Sequence, residues 1–126
     1  MTDSKLLDSS AWLAYFYGGS EEIKSTIESD TLLLTSAISI FEIKNKLMKD
    51  KIDSIKLKNS LEFVKKRSLI VDIGCEIGEE AVETSIKNGL HTVDALIYAS
   101  ALKNNSLLVT FDRDFDGLKN VLILKH

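Results

Sequence analysis

One stretch of the chain combines a strand signal with two closely spaced acids, and it reads Leu107-Leu108-Val109-Thr110-Phe111-Asp112-Arg113-Asp114-Phe115. Its apolar residues predict a strand, and the unbroken run at 31–35 is typical of a strand that is buried on both faces of a sheet. A second run, at 5–7, ends directly at Asp8. Ligands of an open parallel sheet gather at the carboxyl ends of its strands, so we expect these acids at one edge.

Apolar runs and amphipathic segments alternate along the rest of the chain. They predict further strands at 31–35, 69–73 and 121–124, with the acid-tipped one covering 106–110. They predict helices at 11–16, 20–28, 36–49, 54–67, 76–88 and 92–101, the first capped by Ser9 or Ser10 and the last by Thr92. Strands separated by helices imply a three-layer α/β/α sandwich around a parallel sheet of four to five strands.

Length and composition bound the class of protein. A chain of 126 residues supports one buried core, so we expect a single domain over 1–126. The apolar runs are too short to span a bilayer, and Met1 is followed by Thr2-Asp3-Ser4 rather than by a basic secretory segment. Cys75 is the single cysteine, which excludes an internal disulfide. We expect a cytoplasmic protein without a membrane partner.

Charge is divided unevenly, although the net charge is only −3. Residues 44–67 carry nine Lys and Arg residues against three acids, while the rest of the chain carries seven against sixteen. Such a basic stretch is typical of a surface that meets a polyanion such as RNA. A pair of solvated lysine-rich helices would give the same pattern, and the sequence leaves both interpretations open.

Two further acids join the first three. Asp94 lies in the first turn of the helix that precedes the strand at 106–110, and Glu42 lies near the start of the helix at 36–49, beside its apolar face. Four distant elements thus direct carboxylates toward one end of the sheet, where they repel one another unless a cation neutralises them. Oxygen ligands with one cysteine and two histidines in the whole chain favour Mg²⁺ or Mn²⁺ over zinc.

Each acid also has a simpler explanation when it is taken alone. Asp8 suits a helix cap, Asp94 suits the positive end of a helix dipole, and Asp112 and Asp114 suit a turn. Glu42 is harder to explain in this way, because an acid near a helix start and beside an apolar face has few structural uses. The joint placement of all five favours a metal site.

These segments resemble the PIN-domain ribonucleases, in particular the VapC-type toxins and their unpaired archaeal relatives. The resemblance follows the chain in order through residues 7–11, Ser36 with 41–43, 93–101 and 109–115. It implies an α/β/α sandwich, an acidic metal site and usually a dimer. It gives Asp8, Glu42, Asp94 and Asp112 the positions of the catalytic, metal-binding quartet and Asp114 that of a frequent fifth ligand. Ser10 and Thr110 then match small polar positions beside the metal.

The implied activity is hydrolysis of RNA phosphodiester bonds by a Mg²⁺- or Mn²⁺-dependent endoribonuclease, as the toxin of a toxin–antitoxin pair. Expected partners are RNA, a second copy of the chain and an antitoxin protein. A carboxylate-held cation can activate water, so no histidine base is required. His91 and His126 are the two histidines, and His91 suits a loop residue or a peripheral substrate contact.

Two other functions remain open at this stage. A PIN fold could bind RNA or a protein without cutting, because an intact acidic site does not prove turnover. A receiver-type phosphoacceptor switch would use Asp72, Thr110 and Lys125, but it lacks an acidic pair after the first strand. A separate choice concerns the aromatic residues of the first helix, which could stack on RNA bases or serve as core and dimer contacts: Trp12, Tyr15 and Phe16.

Overall fold

The computed structural model describes residues 4–126; the Thr2-Asp3 segment considered above lies outside that range. Five parallel strands form one sheet in the order β3-β2-β1-β4-β5. The strands are β1 (Lys5–Leu7), β2 (Leu33–Ser36), β3 (Leu69–Val71), β4 (Leu107–Thr110) and β5 (Val121–Ile123).

Six α-helices cover the two faces of this sheet. They are α1 (Ser9–Phe16), α2 (Glu21–Ile27), α3 (Ala37–Lys49), α4 (Ser54–Arg67), α5 (Cys75–Asn88) and α6 (Thr92–Lys103), with a short 3-10 helix at Arg113–Phe115. Helices α1 to α4 pack on one face, and α5 and α6 pack on the other. The predicted α/β/α sandwich is therefore confirmed. Within residues 4–126, none of the helices has the length and apolar character needed to cross a bilayer.

The central strand shows why this sequence forms three layers. Leu6 and Leu7 of β1 are both fully buried, and successive side chains of a strand point to opposite faces. Leu6 accordingly packs with the α5–α6 layer, and Leu7 packs with the layer of α1 to α4. Because β1 pairs with β2 on one side and β4 on the other, the residues that follow these strands meet at one edge.

Two predicted helix caps are wrong. The N-cap of α1 is Asp8 rather than Ser9 or Ser10, and its Oδ1 accepts a hydrogen bond from the Ala11 backbone N–H at 3.1 Å. The N-cap of α6 is His91 rather than Thr92, because the His91 carbonyl already accepts the first helical bond, from the Ala95 N–H at 2.8 Å. Helix α1 thus begins at Ser9, two residues earlier than predicted, and Thr92 is the first residue of α6 rather than its cap.

Strand β2 begins at Leu33, two residues later than predicted, and Arg67 explains the difference. The Arg67 guanidinium donates to the backbone carbonyls of Ile27, Ser29 and Thr31 at 2.7, 3.0 and 2.9 Å. This end of α4 therefore holds the loop before β2 in a non-strand path. Arg67 serves the fold in this way, and the exposed positive charge of residues 44–67 comes from the lysines.

Candidate metal centre

The first part of the site forms where β1 passes into α1. Asp8 is only 5% exposed, and its Oδ1 accepts hydrogen bonds from the Ser10 hydroxyl at 2.7 Å and from the Ala11 N–H. Its Oδ2 accepts from the Thr110 hydroxyl at 2.5 Å. Asp8 is therefore a helix cap, as its simpler explanation predicts. A cap alone would not require two further hydroxyl donors, so the structure supports a second role.

The hydroxyl groups of Ser10 and Thr110 join β1 to the end of β4. Ser10 Oγ accepts from the Phe111 N–H at 2.9 Å, and Thr110 Oγ1 accepts from the Asp112 N–H at 2.9 Å. The two hydroxyl oxygens lie 3.3 Å apart. These bonds fix the backbone on which Asp112 stands relative to Asp8. Ser10 and Thr110, which the resemblance places beside the metal, therefore both contact the acid Asp8.

Glu42 enters from the second turn of α3 and is half-buried. Ser9 Oγ donates to its Oε1 at 3.1 Å, so the first turn of α1 contacts a second acid. Burial raises the pKa of Glu42, the Ser9 hydrogen bond opposes this, and the charge of Asp112 raises it further. Ser9 is predicted from the sequence only as a helix cap, and its position directly after Asp8 is the one sequence signal for a role at the site.

Asp94, Asp112 and Asp114 form the open part of the site. Each offers one carboxylate oxygen, and the three oxygens lie within 4.8 Å of one another. Asp94 and Asp112 are half-buried, whereas Asp114 is exposed. The turn is built locally, because Asp112 Oδ1 accepts from the Asp114 N–H at 2.9 Å and so starts the short 3-10 helix.

Charge interactions couple the acids Asp8 and Glu42 to the open acids Asp94, Asp112 and Asp114. Burial raises the pKa of Asp8 to about 6, against the pull of its hydrogen bonds, and the charge of Glu42 adds to the rise. Burial also raises the pKa of Asp94 to about 6, with further increases from Asp112, Asp114 and Glu42. The negative charges of the five carboxylates therefore repel one another. A divalent cation would relieve this repulsion, and the all-oxygen donor set suits Mg²⁺ or Mn²⁺.

Other predicted contacts fall elsewhere. Trp12 is fully buried, and its indole N–H donates to the Thr35 hydroxyl at 3.0 Å, so it is a core residue rather than a base-stacking or dimer contact. Ala11 is also fully buried. Tyr15 and Phe16 are half-buried and pack against Phe63 of α4, with ring centroids 5.6 and 6.4 Å from it. The core interpretation therefore holds for Trp12 and Ala11, while Tyr15 and Phe16 pack on α4 and stay partly exposed.

Comparison with known proteins agrees with this arrangement. The PIN-domain family model matches residues 5–121. The chain belongs to the PIN-domain family. A receiver-type switch is thereby excluded, and Thr110, which that alternative needed, is bonded to Asp8 instead. No curated protein matches the chain significantly.

Solved structures resemble this PIN domain over nearly its whole length. A toxin–antitoxin complex from Klebsiella pneumoniae has 24% identity and a TM-score of 0.77, covering 94% of this chain and 95% of that one. VapBC2 from Rickettsia felis, bound to promoter DNA, has 18% identity and a TM-score of 0.77, covering 96% and 97%. VapC20 from Mycobacterium tuberculosis, a sarcin–ricin loop-cleaving toxin, has 16% identity and a TM-score of 0.67, covering 90% of both chains. At these identities the likeness establishes the shared fold.

Proposed function

We propose that this chain is a Mg²⁺- or Mn²⁺-dependent endoribonuclease and the toxin of a toxin–antitoxin pair, acting as a single domain over residues 1–126. The observation that carries the proposal is the open carboxylate triad of Asp94, Asp112 and Asp114, which offers three oxygens within 4.8 Å of one another. Burial and the neighbouring acids raise the pKa of Asp94 to about 6. Membership of the PIN-domain family and the toxin structures among its structural relatives support the same conclusion.

The acids divide the work of holding the cation. Asp94, Asp112 and Asp114 would be the ligands with open oxygens, and Asp8 and Glu42 would complete the set of carboxylates around the cation. When bound, the cation lowers the pKa of water and stabilises the charge of a phosphoryl transition state. The hydroxyls of Ser9, Ser10 and Thr110 hold the Glu42 and Asp8 carboxylates in place by hydrogen bonds. Hydrolysis by water would leave a 5′-phosphate and a 3′-hydroxyl.

RNA would be held by the lysines of residues 44–67. Lys65 and Lys66 are exposed near the end of α4, and Lys44 and Lys49 are exposed on α3. Phosphate contacts of this kind give affinity without sequence preference, and the affinity weakens as salt rises. This surface lies on the helices, whereas the carboxylates lie at the sheet edge, so binding and cutting would use separate groups.

Antitoxin binding and dimerisation would use separate apolar surfaces. A groove of about 390 Å³ lies between α1 and α4, lined by apolar and aromatic side chains with a polar rim: Tyr15, Phe16, Phe63, Ile55 and Lys56 among them. We assign it to a segment of an antitoxin, in keeping with the toxin–antitoxin complexes among the structural relatives. Phe41 and Met48 expose 65% and 60% of their surface on α3 and would face a second copy. The exposed free Cys75 suits a reducing, cytoplasmic location.

The test is cleavage of single-stranded RNA by the purified chain with and without divalent cations. We expect cleavage with Mn²⁺ or Mg²⁺, loss of cleavage in excess EDTA, and 5′-phosphate product ends by mass spectrometry. Circular dichroism in EDTA should show that the chain stays folded. RNA binding without cleavage under every cation tested would instead support a catalytically silent PIN module, and full cleavage in EDTA would refute the metal mechanism.

A further inference from the structure

The chain leaves β5 at the same edge of the sheet as the carboxylates. Strand β5 pairs with β4 in parallel, with Ile123 opposite Thr110, and the Leu124 N–H then donates to the Thr110 carbonyl at 2.8 Å. Thr110 in turn donates its hydroxyl to Asp8. The carboxyl ends of parallel strands meet at one edge, so the segment that follows Leu124 and contains His126 starts beside the acidic site.

The His126 ring packs on the loop that carries the acids. Its imidazole stacks on the Phe111 ring, with centroids 4.5 Å apart and planes inclined by 25°. Phe111 lies between Thr110 and Asp112, and its backbone N–H donates to Ser10 Oγ at 2.9 Å. Its Cα is therefore about 3.8 Å from that of Asp112, one of the three open acids. The stack is thus anchored on the same backbone as the metal site.

One face of the imidazole is open. Phe111 is partly buried and packs against the core of the α1–α4 layer, whereas His126 is exposed. A planar ring rests on Phe111 with one face only, so the other face meets solvent. Gly19 lies at the edge of the ring, where a Cβ would come 3.8 Å from Nδ1, and it has no side chain that could cover the ring. The stacked pair therefore offers a flat aromatic surface beside the carboxylates.

An unpaired RNA strand is held by surfaces of this kind. Splayed bases stack on Phe, Tyr, Trp or His rings, and the contact tolerates every base because each has a π face. Trp12, considered for this purpose from the sequence, is buried in the core. The lysines of residues 44–67 would contact phosphates, and such contacts leave a strand free to slide. A base held next to Asp112 would fix which nucleotide lies over the acids.

We propose that the Phe111–His126 stack is a nucleobase subsite, in which the open face of the imidazole stacks on a base adjacent to the RNA bond that is cut. This inference rests on the proposed ribonuclease function. Phe111 supports the imidazole from its other face. Because the contact uses the ring face and not a ring nitrogen, it adds affinity and alignment without a preference for one base. His126 is therefore a positioning residue and takes no part in proton transfer.

The experiment combines His126 variants with RNAs that each lack one base. Binding of a short single-stranded RNA is measured by fluorescence anisotropy with Ca²⁺, an oxygen-liganded cation, in place of Mn²⁺. The cut bond is mapped separately by cleavage with Mn²⁺. We expect His126→Ala to raise the Kd for intact RNA about ten-fold, the effect of one lost base stack. On the RNA that lacks the base beside the cut bond, the same variant should differ from the wild type by less than about two-fold.

Three further variants separate ring stacking from size and charge. His126→Phe keeps an aromatic ring and should bind within about two-fold of the wild type, whereas His126→Leu should bind as weakly as His126→Ala. Lys125→Ala is the matched control, because Lys125 is the exposed neighbour in the chain and has no ring. Any loss that it causes should be the same for intact RNA and for every RNA that lacks a base. All four variants should melt at the wild-type temperature.

The inference is overturned if His126→Ala binds intact RNA like the wild type, or if its loss is equal for every RNA in the series. It is also overturned if His126→Phe binds as weakly as His126→Ala, or if the coupled base lies far from the cut bond. Base-dependent binding by a wild type that fails to cleave with Mn²⁺ would refute the proposed ribonuclease and leave the subsite in place. Absence of RNA binding by the wild type would overturn both.

Discussion

Asp8 and Asp94 have the same side chain and the same raised pKa of about 6, but the surroundings that raise it differ. Asp8 is sealed inside the protein and accepts three hydrogen bonds from it. Asp94 is half-exposed, accepts no hydrogen bond from residues 4–126, and faces other carboxylates. One acid is fixed by the protein before any cation arrives, and the other depends on a cation for its partner.

The difference predicts that the open acids govern activity and the bonded acid governs stability and alignment. Removing the charge of Asp94 should abolish cation binding while leaving the fold intact, because no protein group loses a hydrogen-bond partner. Disturbing the bonded acid should change folding energetics and should reduce activity only in part. The following experiments test this division in order of expected effect.

The largest effect is expected for Asp94→Asn, which removes one charge and keeps the shape of the side chain. Cleavage should fall by more than the roughly 100-fold loss that marks the upper range for residues supporting metal ligands. The metal-free protein should melt at the same temperature or higher, because mutual repulsion is reduced. Asp116→Asn is the control, since Asp116 lies outside the cluster. Wild-type cleavage by the Asp94 variant would show that this acid only favours its helix dipole.

The second effect is the pH dependence of stability without metal. The folded-state pKa of Asp8 lies above its ordinary value of 3.8, so the folded chain binds more protons than the unfolded chain between these values. The free energy of unfolding should therefore fall as pH rises from about 4 to about 7, by about 3 kcal/mol from Asp8 alone. Asp94 should add a smaller decrease because it is half-exposed.

Urea titrations in EDTA across this pH range measure the decrease. Saturating Mn²⁺ should restore stability at neutral pH, because the cation binds the folded state only. The variant Asp8→Asn should flatten the pH dependence. A free energy of unfolding that rises over the same range would show that the hydrogen bonds of Asp8 outweigh its burial.

The third effect concerns the hydroxyl that bridges the two parts. Thr110→Val keeps the side-chain shape but removes the donor to Asp8 and the acceptor for the Asp112 N–H. We expect cleavage to fall by about 10- to 100-fold, as for supporting residues of metal sites, and Thr110→Ser to restore most of it. The pKa of Asp8, followed by carboxyl NMR, should rise further in the valine variant. An unchanged rate would show that Asp8 needs no support from β4.

The smallest effect is expected for Ser9→Ala. Glu42 is half-buried and loses a single hydrogen bond of 3.1 Å in this variant. We expect an activity loss of about ten-fold or less, corresponding to one ordinary hydrogen bond. Ser10→Ala should lose more, since Ser10 contacts both Asp8 and the Phe111 N–H. The reverse order would mean that Glu42, rather than Asp8, is the acid on which alignment depends.

The sequence predicts the sheet, the layers and the convergence of the acids because these follow from local patterns. Apolar runs such as Leu6-Leu7 and Leu107 to Val109 mark buried strands, and parallel pairing then brings Asp8 beside Thr110 and Asp112. Capping is less predictable, because His91 and Thr92 are adjacent and the backbone decides which of them begins the helix.

Local sequence patterns do not predict contacts between elements that are distant in the chain. Nothing near Arg67 in sequence indicates that its guanidinium binds the loop carbonyls of Ile27, Ser29 and Thr31. The packing of Tyr15 and Phe16 on Phe63 likewise depends on how α1 meets α4. The sequence indicates Ser9 only as a helix cap, because its hydrogen-bond partner, Glu42, comes from another helix.

The bond between Thr110 and Asp8 joins residues that are 102 positions apart. During synthesis on the ribosome Asp8 emerges early, and its Oδ2 cannot accept the hydrogen bond from Thr110 until β4 has emerged. Asp112 and Asp114 emerge later still. The acidic centre therefore cannot assemble on a nascent chain until Asp114 has left the exit tunnel, so it is among the last features of the fold to form during synthesis.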